Sequence, residues 1–282
     1  MHIQHYTPGY PLANFIQHMV YVSGSLPIPY IKELPEGGIN LVIELNEHTK
    51  NSVLLSEQST GNIEMKHAWI SGIQKQAVLY RNNPDSTIIS IRFTPGGFFS
   101  LTKIPITAIA HVGIEAEAIL GNSFRQCYQQ VLNTVRIEDK FQVLENYFLH
   151  YTAHESMEQE VVKFMHENID KPIDWLIFKT GYSQKHVIHM LKKHTGFTPK
   201  LLQRINRFRL VVNELQRHKE HVDWFSIVQR YGYHDQAHLI RDFTDFAGIR
   251  PMEYVASQLS NEKNILVPDM ILQLPDSKIK GQ

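Results

Sequence analysis

Lys185, His186 and His189 fall within one turn and a half of each other. At 3.6 residues per turn they share a helical face that points away from Val187 and Leu191. Ala237, His238 and Arg241 repeat this placement beside Leu239 and Phe243. The chemistry open to such a face is recognition rather than bond making. Lysine, histidine and arginine present N–H donors, and the arginine fork matches the paired acceptors O6 and N7 of a guanine edge. All six positions are read as base-contacting. No G-x-S-x-G, Walker or Rossmann fingerprint occurs in the sequence, and no catalytic residue is assigned.

Such a face needs a helix held at a fixed angle to a supporting helix, and the sequence provides for this twice. The first copy reads Leu176-Ile177, Gly181-Tyr182-Ser183, Met190-Leu191-Lys192-Lys193 and Gly196-Phe197-Thr198-Pro199. The second reads Ile227-Val228, Gly232-Tyr233, Asp242-Phe243 and Gly248-Ile249-Arg250-Pro251. In both, the apolar pair lies five and four residues before the first glycine, and two residues separate the closing Gly from Pro. Gly181 and Gly232 end apolar-periodic stretches, where left-handed backbone is often required. Ser183 and Asp235 stand where the next helix needs a cap. Helix, glycine turn and second helix make the helix-turn-helix pattern, whose second helix enters a DNA major groove. Two units predict one chain gripping two successive grooves of double-stranded DNA.

The stretch from about 173 to 254 resembles the DNA-binding domain of AraC/XylS-type transcriptional regulators. The resemblance rests on Gly181-Tyr182-Ser183, on Leu191 through Pro199, and on Arg207. It continues in Gly232-Tyr233-His234-Asp235-Gln236, Arg241-Asp242-Phe243, and Gly248 through Tyr254. It implies seven helices and a long central one over Pro199–Arg217, with Leu202, Ile205, Phe208, Val212 and Leu215 turned inward. It also implies RNA polymerase as a partner. Two departures stand out. Ile177 and Val228 occupy positions where the family often has a small residue. Thr244 and Asp245 stand where it often has a basic one, and Asp242 and Asp245 make the second unit less cationic.

Charge is divided along the chain. The total is balanced, with 28 Lys+Arg and 28 Asp+Glu. Residues 1–169 hold 11 basic and 16 acidic residues, while 170–256 hold 14 and 9. A basic segment joined to an acidic one fits DNA binding confined to the C-terminal part. Lys192, Lys193, Lys200, Arg204 and Arg207 are the phosphate candidates, with Arg209 beside them.

The first hundred residues read as β-rich. Apolar and β-branched runs cover 15–22, 39–45, 68–70, 77–80 and 88–93, punctuated by turns at Pro8-Gly9, Gly37-Gly38, Gly61-Asn62, Asn82 through Asp85 and Pro95-Gly96-Gly97. From 98 to 150 the spacing of Val131, Val135, Phe141, Leu144, Tyr147 and Phe148 predicts helices, and another is expected over 155–168. With its Pro35-Glu36-Gly37-Gly38 turn and Arg92-to-Gly97 stretch, the segment resembles the cupin-like sensor half of some of these regulators. His2, His5, His18, His48, His67 and His111 lack the close His-x-His spacing of metal-holding cupins, so no metal and no cofactor is expected. Glu36, Glu44 and Arg92 could line a pocket, but surface exposure is the reading taken for each. The single cysteine, Cys127, excludes an internal disulfide framework and fits a cytoplasmic location. No apolar run reaches the roughly 20 residues of a membrane helix.

The expected fold class is α+β. A cupin-like domain with helices covers 1–150, a connecting helix 151–169, a double helix-turn-helix 170–256 and a tail 257–282. The expected function is sequence-specific regulation of transcription, with no enzymatic activity; the N-terminal domain is expected to sense a small-molecule effector or partner, to form a homodimer, or to do both. The alternative is a cupin-type metal enzyme with a helical appendage.

Overall fold

The structure is a computed structural model that describes residues 1–24, 30–49, 51–54, 62–81, 83–109, 113–152, 156–218, 221–259 and 265–266. Gly61, Asn82, His111, Glu155 and most of the tail lie outside the described residues.

The N-terminal half is built on strands β1 (His2–Tyr6), β2 (Ile16–Ser23), β3 (Tyr30–Glu33), β4 (Asn40–Glu44), β5 (Asn51–Leu54), β6 (Asn62–Met65), β7 (Ala68–Ser71), β8 (Val78–Arg81) and β9 (Thr87–Phe93). With β10 (Ile114–Glu115) and β11 (Ile265–Leu266) they form two sheets. One is ordered β1-β2-β9-β4-β7-β10, the other β11-β3-β8-β5-β6. The period of two sorts the larger sheet into two faces. Leu41, Ile43, Ile70, Ile89 and Ile91 are fully buried in the main apolar core. Their neighbours form rows across the opposite face. His18, Arg92, Asn40 and Ser71 pair in one row, and Val20, Ser90, Val42 and Trp69 in the next.

Helices cover that core. They are α1 (Gly97–Thr102), α2 (Ala116–Leu120), α3 (Asn122–Asn133) and α4 (Ile137–Leu149), followed by α5 (Met157–Glu167). Phe98, Phe124, Val131, Phe141, Leu144 and Phe148 are buried on them, and so is Cys127, whose thiol burial pushes up to about 12. Val135 departs from expectation. It lies between α3 and α4 and is 90% exposed, because the chain leaves the helix after Asn133.

The C-terminal half contains α6 (Ile173–Thr180), α7 (Gln184–Thr195), α8 (Pro199–Arg217), α9 (Trp224–Arg230), α10 (Gln236–Ala247) and α11 (Pro251–Leu259). Among the described residues a seventh helix is present only if α5 is counted with them. Thr198 caps α8, Pro199 opens it, and Leu202, Ile205, Phe208, Val212 and Leu215 are all buried along it. The two halves share one apolar core, which runs from Ile16 and Phe93 to Leu191, Leu202 and Phe243. The chain also returns after α11, where β11 pairs in parallel with β3. No described helix is long and apolar enough to cross a membrane.

Candidate nucleic-acid interface

Each unit is set by a left-handed glycine and a side-chain cap. Gly181 has φ 71° and donates its N–H to the Ile177 carbonyl at 2.9 Å; Ser183 Oγ then accepts from His186 N at 3.3 Å to start α7. In the second unit Gly232 has φ 68°, Tyr233 N donates to Val228 O at 3.0 Å, and Asp235 Oδ1 accepts from His238 N at 2.7 Å to start α10. Both caps satisfy amides that a helix N-terminus leaves open. Val187, Met190 and Leu191 bury one side of α7, and Leu239, Phe243 and Phe246 one side of α10. The other sides face out.

Lys185, His186 and His189 are exposed on α7, as are Ala237 and Arg241 on α10. The side chains of Lys185, His189 and Arg241 make no hydrogen bond or ion pair among the described residues. Neither do those of Lys192 and Lys200. His186 stacks on Tyr182, with ring centres 4.6 Å apart and planes 25° from parallel. His238 is held differently. Its Nδ1 accepts from His234 N at 3.4 Å, its Nε2 lies 3.8 Å from Asp242, and its ring meets Tyr233 edge-on.

Three phosphate candidates are engaged within the chain. Arg204 donates from Nε and Nη2 to Asp242 Oδ1 at 3.1 and 2.8 Å, and from Nη2 to Asp245 at 2.9 Å. These carboxylates raise its already high pKa, the Asp242 hydrogen bonds most. Arg207 donates to the Gly232 carbonyl at 3.2 Å and lies over Tyr233. Lys193 pairs with Glu158 of α5 at 3.0 Å. For the two arginines the cause is Asp242, which is 3% exposed. A carboxylate so buried needs cations, and α8 supplies them. Composition alone read Asp242 as a loss of positive charge, and its scaffold role carries no local signal.

A second feature lies beneath the DNA-binding half. A cavity of about 740 Å³ separates the two sheets, and its lining includes Lys163, His166 and Glu167 of α5 and Arg209 of α8. The row His18, Arg92, Asn40 and Ser71 forms part of its wall, while Val20, Val22, Ile31, Val42, Trp69 and Ile88 make apolar surface. Arg92 bonds Glu36 at 2.9 Å and Asn40 at 3.3 Å, and Arg209 donates to the Glu36 carbonyl at 3.4 Å. Gln74 bridges Glu33, Ser71 and Tyr80 at 3.1, 2.9 and 3.1 Å. Burial, with Glu36 nearby, raises the Glu33 carboxyl. Burial first, then the nearby Arg209 and Arg92, brings His166 down to about 4. Glu36 and Arg92 thus face this cavity rather than open solvent. Glu44 is fully buried, accepting from Asn46 N, Thr87 N and Ser86 Oγ at 2.9, 2.9 and 2.5 Å. The histidines do not converge: no group of three or more His, Cys, Asp or Glu among the described residues is placed to hold a metal.

Residues 177–257 match the helix-turn-helix domain family, and residues 4–115 match a domain family of unknown function, DUF6597. The multiple antibiotic resistance protein MarA of Escherichia coli strain K12 is 24% identical over 110 residues, which are 38% of this chain and 85% of that protein. MarA of Salmonella typhimurium is 23% identical over the same coverage. Among solved structures, ToxT of Vibrio cholerae aligns with a TM-score of 0.42 at 9% identity, over 92% of this chain and 98% of its own. The AraC-like transcriptional activator CuxR aligns with a TM-score of 0.24 at 13% identity, over 70% and 73%. The two capped turns on one scaffold helix, together with the matched family, define the C-terminal half as a helix-turn-helix DNA-binding domain. That domain is of the AraC type, and the chain is a DNA-binding transcription regulator.

Proposed function

We propose that α7 and α10 read two successive major-groove segments about one helical turn, roughly 10 bp, apart. Lys185, His186 and His189 serve one segment, and Ala237, His238 and Arg241 the other. Lys192 and Lys200 hold the backbone, and Arg204 and Arg207 fix the angle between the units. The observation that carries this is the pair of exposed polar helix faces, each started by its own cap, on the common helix α8. Binding of the full chain to duplexes from its own promoter region, measured across salt, tests it. Affinity should fall steeply as salt rises, because neutralised phosphates release counterions. A salt-independent interaction, or none, refutes the reading.

We further infer that a small molecule entering the cavity controls the output. The support is its placement: Arg209 of α8 and Arg92 of β9 line one cavity, so an occupant touches the sensor and the DNA-binding scaffold together. Part of its wall is apolar, and the four cations Arg81, Arg92, Lys163 and Arg209 outnumber the three carboxylates Glu33, Glu36 and Glu167 around it. An apolar body bearing an anionic group fits best. A homodimer working with RNA polymerase in the cytoplasm completes the reading. A thermal-shift screen of amphipathic carboxylates on the full chain tests the ligand, since a binder of the native state must raise the midpoint. The alternative, a cupin-type metal enzyme, gains no support from the family matched at 177–257.

A further inference from the structure

Lys193 occupies an unusual position. It lies four residues beyond His189 and seven beyond His186, so it continues the outward stripe of α7. Its ammonium, however, is directed at groups outside the helix-turn-helix. Glu158 Oε2 on α5 takes Lys193 Nζ at 3.0 Å, and the same oxygen takes His194 Nε2 at 3.0 Å. Lys193 Nζ also sits 4.8 Å from the ring centre of Phe99 on α1. Phe99 lies 4.3 Å from the ring of His194, which is 1% exposed.

The two interactions of Glu158 differ in kind. His194 is sealed in the interface, where burial lowers its pKa despite the carboxylate, and its Nε2 faces Glu158 Oε2 from the core side. Lys193 and Glu158 lie at the rim, with side chains 33% and 42% exposed. An incoming phosphate can reach Lys193 there without opening the core. Arg204 offers no such access, because its first partner Asp242 is buried beneath it. Lys185, Lys192 and Lys200 need no release, having no partner among the described residues.

Resting on the reading that α7 faces DNA, we propose that Glu158 is a resident competitor for the DNA backbone at Lys193. In the DNA-free chain Glu158 neutralises the lysine. On DNA, Lys193 Nζ exchanges the carboxylate for a phosphate oxygen, while His194 keeps Glu158 in place. The sensor side thereby sets the affinity of the first unit, since α1 and α5 supply both Phe99 and Glu158. No atom is transferred; one ion pair replaces another.

The test uses the full chain and a mixed-sequence 40-bp duplex as probe, because phosphate contacts do not depend on sequence. Glu158→Gln should tighten binding roughly two- to fivefold at 50 mM salt, the span of a partly exposed ion pair, with less effect at 200 mM. Glu158→Asp keeps the charge but shortens the reach, and should tighten binding in the same direction. Glu160→Gln removes an equal charge from the same helix and sets the background. In a Lys193→Gln chain, Glu158→Gln should do no more than Glu160→Gln. Equal effects of Glu158→Gln and Glu160→Gln overturn the proposal, as does a Glu158 effect that survives in Lys193→Gln. Weaker binding by both Glu158 variants assigns the pair to scaffolding instead. If the native chain binds but Lys193→Gln changes nothing, Lys193 does not meet phosphate. If the native chain does not bind the duplex, the DNA-facing reading of α7 itself fails.

Discussion

Asp242→Asn isolates the link between α8 and α10. The Asp242 side chain is 5% exposed and takes two charge-assisted hydrogen bonds from Arg204, at 3.1 and 2.8 Å. Asparagine keeps the shape but loses the charge. Breaking a buried ion pair by removing one partner costs about 3–5 kcal/mol. Arg204 is 31% exposed and retains Asp245, itself largely solvated, so the loss here falls nearer about 2–3 kcal/mol. Arg204→Gln should cost about as much, because it leaves Asp242 with Arg207 at 3.9 Å and His238 at 3.8 Å. The double variant should cost clearly less than the two summed, with a coupling of about 1–2 kcal/mol, since the second change removes a partner already lost. Urea unfolding of the full chain supplies all four corners of the cycle. DNA affinity measured on the same samples should drop for each single variant, because α10 loses its brace. Additive costs, or a cost below about 1 kcal/mol for Asp242→Asn, would refute the argument that this carboxylate fixes the second unit.

Gly196→Ala should be far worse than Gly181→Ala by thermal unfolding. Both glycines have positive φ, and alanine there costs about 1 kcal/mol, but a Cβ on Gly196 would lie 1.9 Å from Ile73 Cδ1, whereas nothing lies within 4 Å at Gly181. Arg241→Ala should cost about 1–3 kcal/mol of DNA affinity and relax the preference at one base pair, seen on a panel of single-base site variants; an even loss across the panel would remove its base-reading role. Stability should also fall with acid in a window set by His166. The folded ring titrates near 4 and the unfolded one near 6.5, so the unfolded chain binds the extra proton and stability drops as pH falls from about 6.5 to 4. The loss from this residue is at most about 3 kcal/mol at 1.36 kcal/mol per pH unit, and His166→Gln should flatten that part of a urea-midpoint profile.

Features governed by neighbours in sequence were legible without coordinates. Gly181 and Gly232 bend the chain where left-handed backbone is needed, Ser183 and Asp235 cap the next helix, and Pro199 opens α8. The same holds for β2, β4, β7, β8 and β9, whose apolar runs declare a buried face. The strands β3, β5, β6 and β10 have short or mixed runs and take their conformation from partners across the sheet. Glu36, Glu44 and Arg92 were read as exposed because charge alone suggests it. Glu36 and Arg92 pair with each other, and Glu44 takes Ser86 and Thr87, across separations that no period or spacing joins.

Arg241 shows how far such reasoning reaches. Helical spacing offers it Asp245, four residues on, as an ion-pair partner that would keep it from DNA. The structure gives Asp245 to Arg204 at 2.9 Å instead. An arginine fork already anchored on buried Asp242 can take a second carboxylate at little further entropic cost, whereas Arg241 would have to order its whole side chain to compete. The two aspartates that lower the formal charge of the second unit are therefore both turned toward α8. Arg241 is left exposed on the outward face of α10, with its fork open. The acidic residues that looked like a defect in a DNA-binding helix thus account for both the brace behind it and the free arginine in front.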